Sequence, residues 1–136
     1  MNAVAAVRYD GRAYFQERLR NIRGHTISPH AIERAQARVR SFALLDKYKV
    51  IKEILEALNT ATVVAFDGPL KPVCRVLFHE FYSESPLTEF FIVMDLKQDN
   101  VGIICTVLTK EMHDHYLETR QHIPVEFYNQ VFYAPR

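Results

Sequence analysis

Glycine and cysteine are scarce in this chain, and neither sign of charge dominates. Only four glycines occur in 136 residues and none are clustered, which excludes phosphate-cradling loops and dinucleotide fingerprints. The two cysteines, Cys74 and Cys105, lack metal-ligand spacing and fall within predicted strands. They read as buried free thiols of a reducing cytoplasm. Neither sits in a nucleophile motif, and no G-x-S-x-G elbow occurs. No apolar run approaches the roughly 18 residues of a membrane span, and no secretory signal pattern opens the chain. The formal charge of +1 excludes a large non-specific attraction to nucleic acid, so any such site must be a local basic patch. Repeats, low-complexity tracts and linkers are also missing.

What is present suits a single domain spanning residues 1–136. Hydrophobic residues make up 49% and charged residues 24%, enough for a core without disulfide or metal staples. Gly11 to Ile22 has near-helical apolar spacing, and Asn21 to His25 reads as a connector. Ser28 opens a helix running to about Ser41. Asp46 caps another, in which Val50, Ile51, Ile54, Leu55 and Leu58 form an apolar stripe that stops at Asn59-Thr60. The pattern then changes to strands: Ala61 to Phe66, Val73 to Tyr82, Glu89 to Leu96 and Val101 to Thr109. The turn signal Asp67-Gly68-Pro69 separates the first two, and short links favour an antiparallel meander. Lys110 to Gln121 returns to helix with Met112, Tyr116 and Leu117 facing inward, and an aromatic tail from Ile123 to Arg136 packs on the body. The expected class is α+β: N-terminal helices packed on a four-stranded antiparallel β-meander, with a C-terminal helix and the aromatic tail.

Ile27 to Val39 is the densest stretch. Ser28 is a good N-cap, Pro29 suits the first helical position, and Ile27 with Ile32 has the spacing of a hydrophobic staple. His30 then falls at the second helical position, beside free amides at the positive end of the helix. Arg34 shares its face, and Arg38 lies one turn further on. Ala31, Ala35, Val39 and Phe42 gather on another face. The polar row is therefore either an ordinary solvated face or the histidine and two arginines that metal-free phosphodiester chemistry needs.

Strand alternation offers further candidates. Arg75 and His79 share a face with Val73, Leu77 and Phe81, and Asp95 shares one with Phe91 and Val93. The purely apolar opposite set should meet the helices, leaving Arg75, His79 and Asp95 on a face that is solvated or carries substrate contacts. Thr106, flanked on its face by Ile104 and Leu108, is a β-former or a hydrogen-bond donor. Metal binding is the rival use for six histidines. His113 and His115 point to different helix faces, Glu111 and His115 are better placed, and no HExxH or paired-cysteine motif supports them. No cofactor or metal is implied.

The His30-Ala31…Arg34…Arg38 spacing resembles the hxHAxxRxxxR helix of toxin-like members of the barnase–EndoU–colicin–RelE ribonuclease superfamily. Ile103 to Leu108, reading Ile-Ile-Cys-Thr-Val-Leu, resembles their closing strand with Thr106 in the matching place. The likeness covers about residues 27 to 109. The first 25 or so residues, the aromatic tail and the missing basic excess depart from it. The resemblance implies metal-independent cleavage of RNA, with His30 as base or acid, Arg34 and Arg38 on the phosphate, Thr106 adding a hydrogen bond, and Arg75 with His79 on the substrate. Two other classes stay open: a noncatalytic phage or mobile-element module that binds a host protein through its aromatic tail, and RNA binding without cleavage. Partners are thus RNA, or a protein target or inhibitor, with no membrane. Convergence of His30, Arg34 and Arg38 with Arg75 or Thr106 is the discriminating observation.

Overall fold

The computed structural model describes residues 11–20, 24–78, 88–96 and 101–132. Helix α1 (Gly11–Arg20) leads to strand β1 (Gly24–Ile27) and helix α2 (Pro29–Arg38). A 3-10 turn (Arg40–Phe42) precedes helix α3 (Lys47–Leu58). Strands β2 (Thr62–Phe66), β3 (Pro72–Phe78), β4 (Thr88–Leu96) and β5 (Val101–Thr109) follow. Helix α4 (Lys110–Glu118), strand β6 (Ile123–Pro124), a 3-10 turn (Val125–Phe127) and helix α5 (Tyr128–Phe132) complete the described chain. The class is α+β, and none of the described helices is long and apolar enough to cross a membrane.

The sheet has six strands in the order β1-β5-β4-β3-β2-β6, not four. β2 through β5 are antiparallel neighbours, as their short links require. Two edge strands are additions. The expected connector at Gly24 is instead β1, parallel to β5 with Gly24 opposite Val101 and Ile27 opposite Ile104. The tail contributes β6, antiparallel to β2. Both are too short for a periodic signal, and their hydrogen-bond partners lie far along the chain.

Local rules place the helices well. Ser28 Oγ accepts from Ala31 N at 3.0 Å, with Pro29 in the first turn. Ile27 and Ile32 are half-buried against the core, where the staple spacing puts them. Asp46 caps α3 through Lys49 N at 2.9 Å, and Val50, Ile54, Ala57 and Leu58 are buried along it.

Alternation divides the sheet residues between two faces. Cys74, Val76, Phe90, Ile92, Met94, Ile104 and Val107 join the larger core. It is completed by Phe15 of α1, Ala31 and Ala35 of α2, and Ile54 of α3. Burying each large side chain contributes about 1.5–3 kcal/mol. Val125, Tyr128 and Phe132 of the tail join the same core. Tyr128 is 1% exposed, lies 4.3 Å from the Phe66 ring centroid, and donates its hydroxyl to Pro69 O. Tyr128 is therefore a packing residue, while Phe127 is exposed.

The opposite face is covered in part, while Arg75 and Leu77 of β3 remain exposed on it, as expected for a solvated face. Ala65, Val73, Phe91, Val93 and Leu108 form a second cluster, covered by Met112, Tyr116 and Leu117 of α4. The inward set expected for this helix is correct. Cys74 is a buried thiol, whose burial pushes its pKa up to about 12. Cys105 is only half-buried, because it falls where the β4–β5 register slips between Val93 and Met94.

Ser28→Ala removes both the α2 cap and a bond that its hydroxyl donates to Cys105 O at 3.2 Å. Urea denaturation should show a loss of about 1–2 kcal/mol. A loss within error would mean that water replaces both bonds.

Candidate functional site

β5 is longer than the β1 segment that pairs with it. Pairing stops at Ile104, where Ser28 N donates to the Ile104 carbonyl at 3.1 Å and the chain turns into α2. Beyond that point the outer edge of β5 would present unpaired carbonyls, which are costly to bury without a donor. α2 supplies two donors. Ser28 Oγ donates to Cys105 O, and Arg38 Nη1 donates to Val107 O at 2.7 Å. A row of polar side chains is thereby fixed along the seam between α2 and β5.

His30, Arg34 and Arg38 lie on this row. Arg34 Nε donates to His30 Nε2 at 3.2 Å. That geometry requires a neutral imidazole with its proton on Nδ1. His30 and Arg34 are exposed and Arg38 is half-buried. Partial burial lowers the Arg38 pKa first, neighbouring Arg34 lowers it further, and Tyr116 of α4 acts in the other direction. Arginine starts so far above neutrality that Arg38 stays charged. No ion pair joins Arg34 or Arg38 to a carboxylate among the described residues. Two guanidinium groups on successive turns without a neutralising partner suit an anion such as phosphate.

Thr106 immediately precedes Val107, whose carbonyl Arg38 grips. It is half-buried, stands opposite Val93 and shares the second face with Leu108. Ile104 is on the other face, in the larger core. The expected pairing of Thr106 with both neighbours fails because Cys105 is an extra residue in a β-bulge, which reverses the alternation.

Arg75 is elsewhere. It stands on β3, separated from β5 by β4, and its guanidinium is engaged by Glu89. With Thr60, Thr62 and Leu77 it lines a shallow depression of about 210 Å³ that takes in none of the α2 row. His79 lies outside the described residues. Of the six residues to which the resemblance gives a role, His30, Arg34 and Arg38 come together, Thr106 lies on the other face of the sheet from the one on which α2 packs, and Arg75 is remote.

A second polar feature emerges under α4. His113 is 6% exposed and stacks on Phe91 at 3.9 Å between ring centroids, and His122 is 4% exposed with Tyr116 at 4.9 Å. The two histidine rings are 6.4 Å apart between centroids, and neither Nδ1 has a hydrogen-bond partner among the described residues. Arg120, in the left-handed region at φ 61°, ends the helix so that His122 N returns to Tyr116 O at 3.0 Å. The signal for His113 was its place on one helix face with Tyr116 and Leu117. Spacing to His115, which is exposed, obscured it. Among the described residues, no group of three or more His, Cys, Asp or Glu side chains is arranged to hold a metal ion.

No protein-family model matches the chain, and no curated protein or solved structure matches it.

The buried histidines make stability depend on pH. Burial lowers the pKa of both; His122 lowers that of His113 further, while Asp114 and Glu89 oppose that shift and Asp67 opposes that of His122. Both therefore resist protonation when folded. The unfolded chain binds their protons first as pH falls below about 6.5, so stability holds above that value and declines below it. The limiting slope is about 1.4 kcal/mol per pH unit for each histidine. Urea midpoints at pH 7.5, 6.5 and 5.5 should fall for the wild type. His113→Phe, which keeps the stack on Phe91, should flatten that fall, and an unchanged slope would remove His113 as a cause.

Proposed function

We propose that this protein is a metal-independent, ribonuclease-like protein that acts on RNA along the α2–β5 seam. The carrying observation is the unneutralised Arg34–Arg38 pair with His30 bonded to it. A neutral imidazole beside two fixed cations has the composition required for 2′-OH attack on the adjacent phosphate. His30 Nε2, released from Arg34, takes the 2′-OH proton as the 2′-oxygen bonds to phosphorus. The bond to the leaving 5′-oxygen breaks, and the imidazolium returns its proton to that oxygen. The products are a 2′,3′-cyclic phosphate and a free 5′-hydroxyl. Arg34 and the remaining donors of Arg38 offset charge gathering on the phosphoryl oxygens. This assignment agrees with the resemblance to toxin-like ribonucleases at His30, Arg34 and Arg38. Arg75 then serves only a distant stretch of strand.

RNA binding without cleavage is favoured by a different aspect of the same geometry. The lone pair on His30 Nε2 is occupied by Arg34, and one Arg38 donor is committed to the Val107 carbonyl. Both residues must exchange partners before chemistry, whereas binding needs only their charge. Docking of a host protein through the aromatic tail has less to draw on, since Tyr128 is consumed by the core.

Incubating purified protein with total RNA in excess EDTA separates these readings. The expected result is cleavage by the wild type that His30→Ala and Arg34→Ala each reduce by about 100-fold or more. Both side chains are exposed, so the variants should remain folded. Cleavage indifferent to both changes would assign the activity to another site or a contaminant. No cleavage with RNA retained on the protein would select the binding reading.

A further inference from the structure

The first turns of α3 carry a surface that the seam does not use. Tyr48 is 72% exposed and Leu44, four residues earlier, is 84% exposed. Both are far more open than a core explains. Lys47 Nζ sits 5.2 Å from the Tyr48 ring centroid, stacked as a cation on one ring face. Lys52 lies one turn beyond Tyr48 and beside Lys49, so Tyr48, Lys49 and Lys52 share the solvent face opposite buried Val50 and Ile54. All three lysines are exposed, as is Arg40, seven residues before Lys47 in the chain. Of the neighbouring carboxylates, Asp46 has an oxygen engaged as the α3 cap, Glu53 is half-buried, and Glu56 is exposed one turn beyond Lys52. None of these four cations forms an ion pair among the described residues. Over residues 46–52 three lysines accompany a single carboxylate and an exposed aromatic ring.

We infer that this patch binds single-stranded RNA, with an unpaired base stacked on Tyr48 and neighbouring phosphates on Lys47, Lys49 and Lys52. This inference rests on the RNA-directed reading of the seam and specifies its substrate class. Charge complementarity requires an anionic occupant. A flat, exposed ring flanked by cations fits alternating bases and phosphates, and stacking is sequence-tolerant because every base has a π-face. Bases within a duplex are already stacked on each other and cannot reach the ring, so the surface discriminates against double strands.

The test is fluorescence anisotropy with a labelled, 2′-O-methylated single strand of roughly ten nucleotides, within the usual site size. Such a strand cannot be cleaved by 2′-OH attack. Binding is therefore read independently of the cleavage experiment, and the seam's chemistry can fail while this patch holds. Wild type should bind the single strand and bind the matching duplex more weakly. Tyr48→Ala should weaken single-strand binding by about tenfold or more, while Tyr48→Phe retains it. Lys49→Gln with Lys52→Gln should lower the slope of log affinity against log salt by about one. The exposure of all three positions keeps these variants folded. Equal affinity of Tyr48→Ala and wild type, equal affinity for single strand and duplex, or no RNA binding would each overturn the inference. So would binding to vesicles of anionic phospholipid that depends on Tyr48 and Leu44 and replaces binding to RNA.

Discussion

The exposed flank of β5 is the constraint around which this molecule is organised. β1 is only four residues long, so it covers the edge as far as Ile104 and no further. The carbonyls beyond it must find donors or remain an open template for another chain. Ser28 and Arg38, at the two ends of α2, supply them. The helix is thus tied to the strand at both ends while Ala31 and Ala35 press its small apolar face into the core. The bulge at Cys105 belongs to the same arrangement. It shifts the alternation of β5 and brings Thr106 to the face that α4 covers.

This arrangement gives Arg38 two demands on one side chain. One N–H stabilises the sheet edge, and the remaining donors face the same neighbourhood as Arg34 and Tyr116. A guanidinium can do both because it has five donors in a rigid fork, whereas lysine would lack that geometry. Holding Arg38 beside Arg34 costs electrostatic energy that an incoming phosphate would offset. The seam and the lysine patch of α3 lie on separate flanks of the helical layer, since Gln36, on the side of α2 away from Arg34, reaches Leu45 just before α3. Each therefore has its own chemistry and its own signature in variants.

Covering the second face has a different cost. α4 buries Met112 and Leu117 against Val73, Phe91 and Leu108, but it brings two imidazoles with unpartnered nitrogens into the same layer. Aromatic stacking on Phe91 and Tyr116 offsets part of that desolvation while the rings are neutral. Protonation would place two like charges in a poorly solvated space, so this side of the sheet is the more sensitive to acid.

Much of the architecture was legible in the residues because its causes are local. Ser28-Pro29 and Asp46 start helices through bonds to amides three residues on, and β4 alternates strictly between two apolar sets. The His30–Arg34–Arg38 row is equally local, since helical spacing alone puts it on one side of α2. Other features depend on partners distant in sequence. Ser28 meets Cys105 across 77 positions, and Arg38 meets Val107 across 69. No pattern within either segment announces such a bond, nor the pairing of four residues at Gly24 with the start of β5. By itself the sequence determined the helix starts at Ser28 and Asp46, the antiparallel order of β2 to β5 and the polar row, through caps and periodicity acting over a few residues. By contrast, α2 ends at Arg38 and α4 at Glu118, short of their expected ends. Only the tertiary structure decided that Thr106 turns to the face under α4, that Arg75 is diverted to Glu89 and that α4 covers much of the second face. Those outcomes depend on which edges and faces are left to satisfy once the sheet has formed.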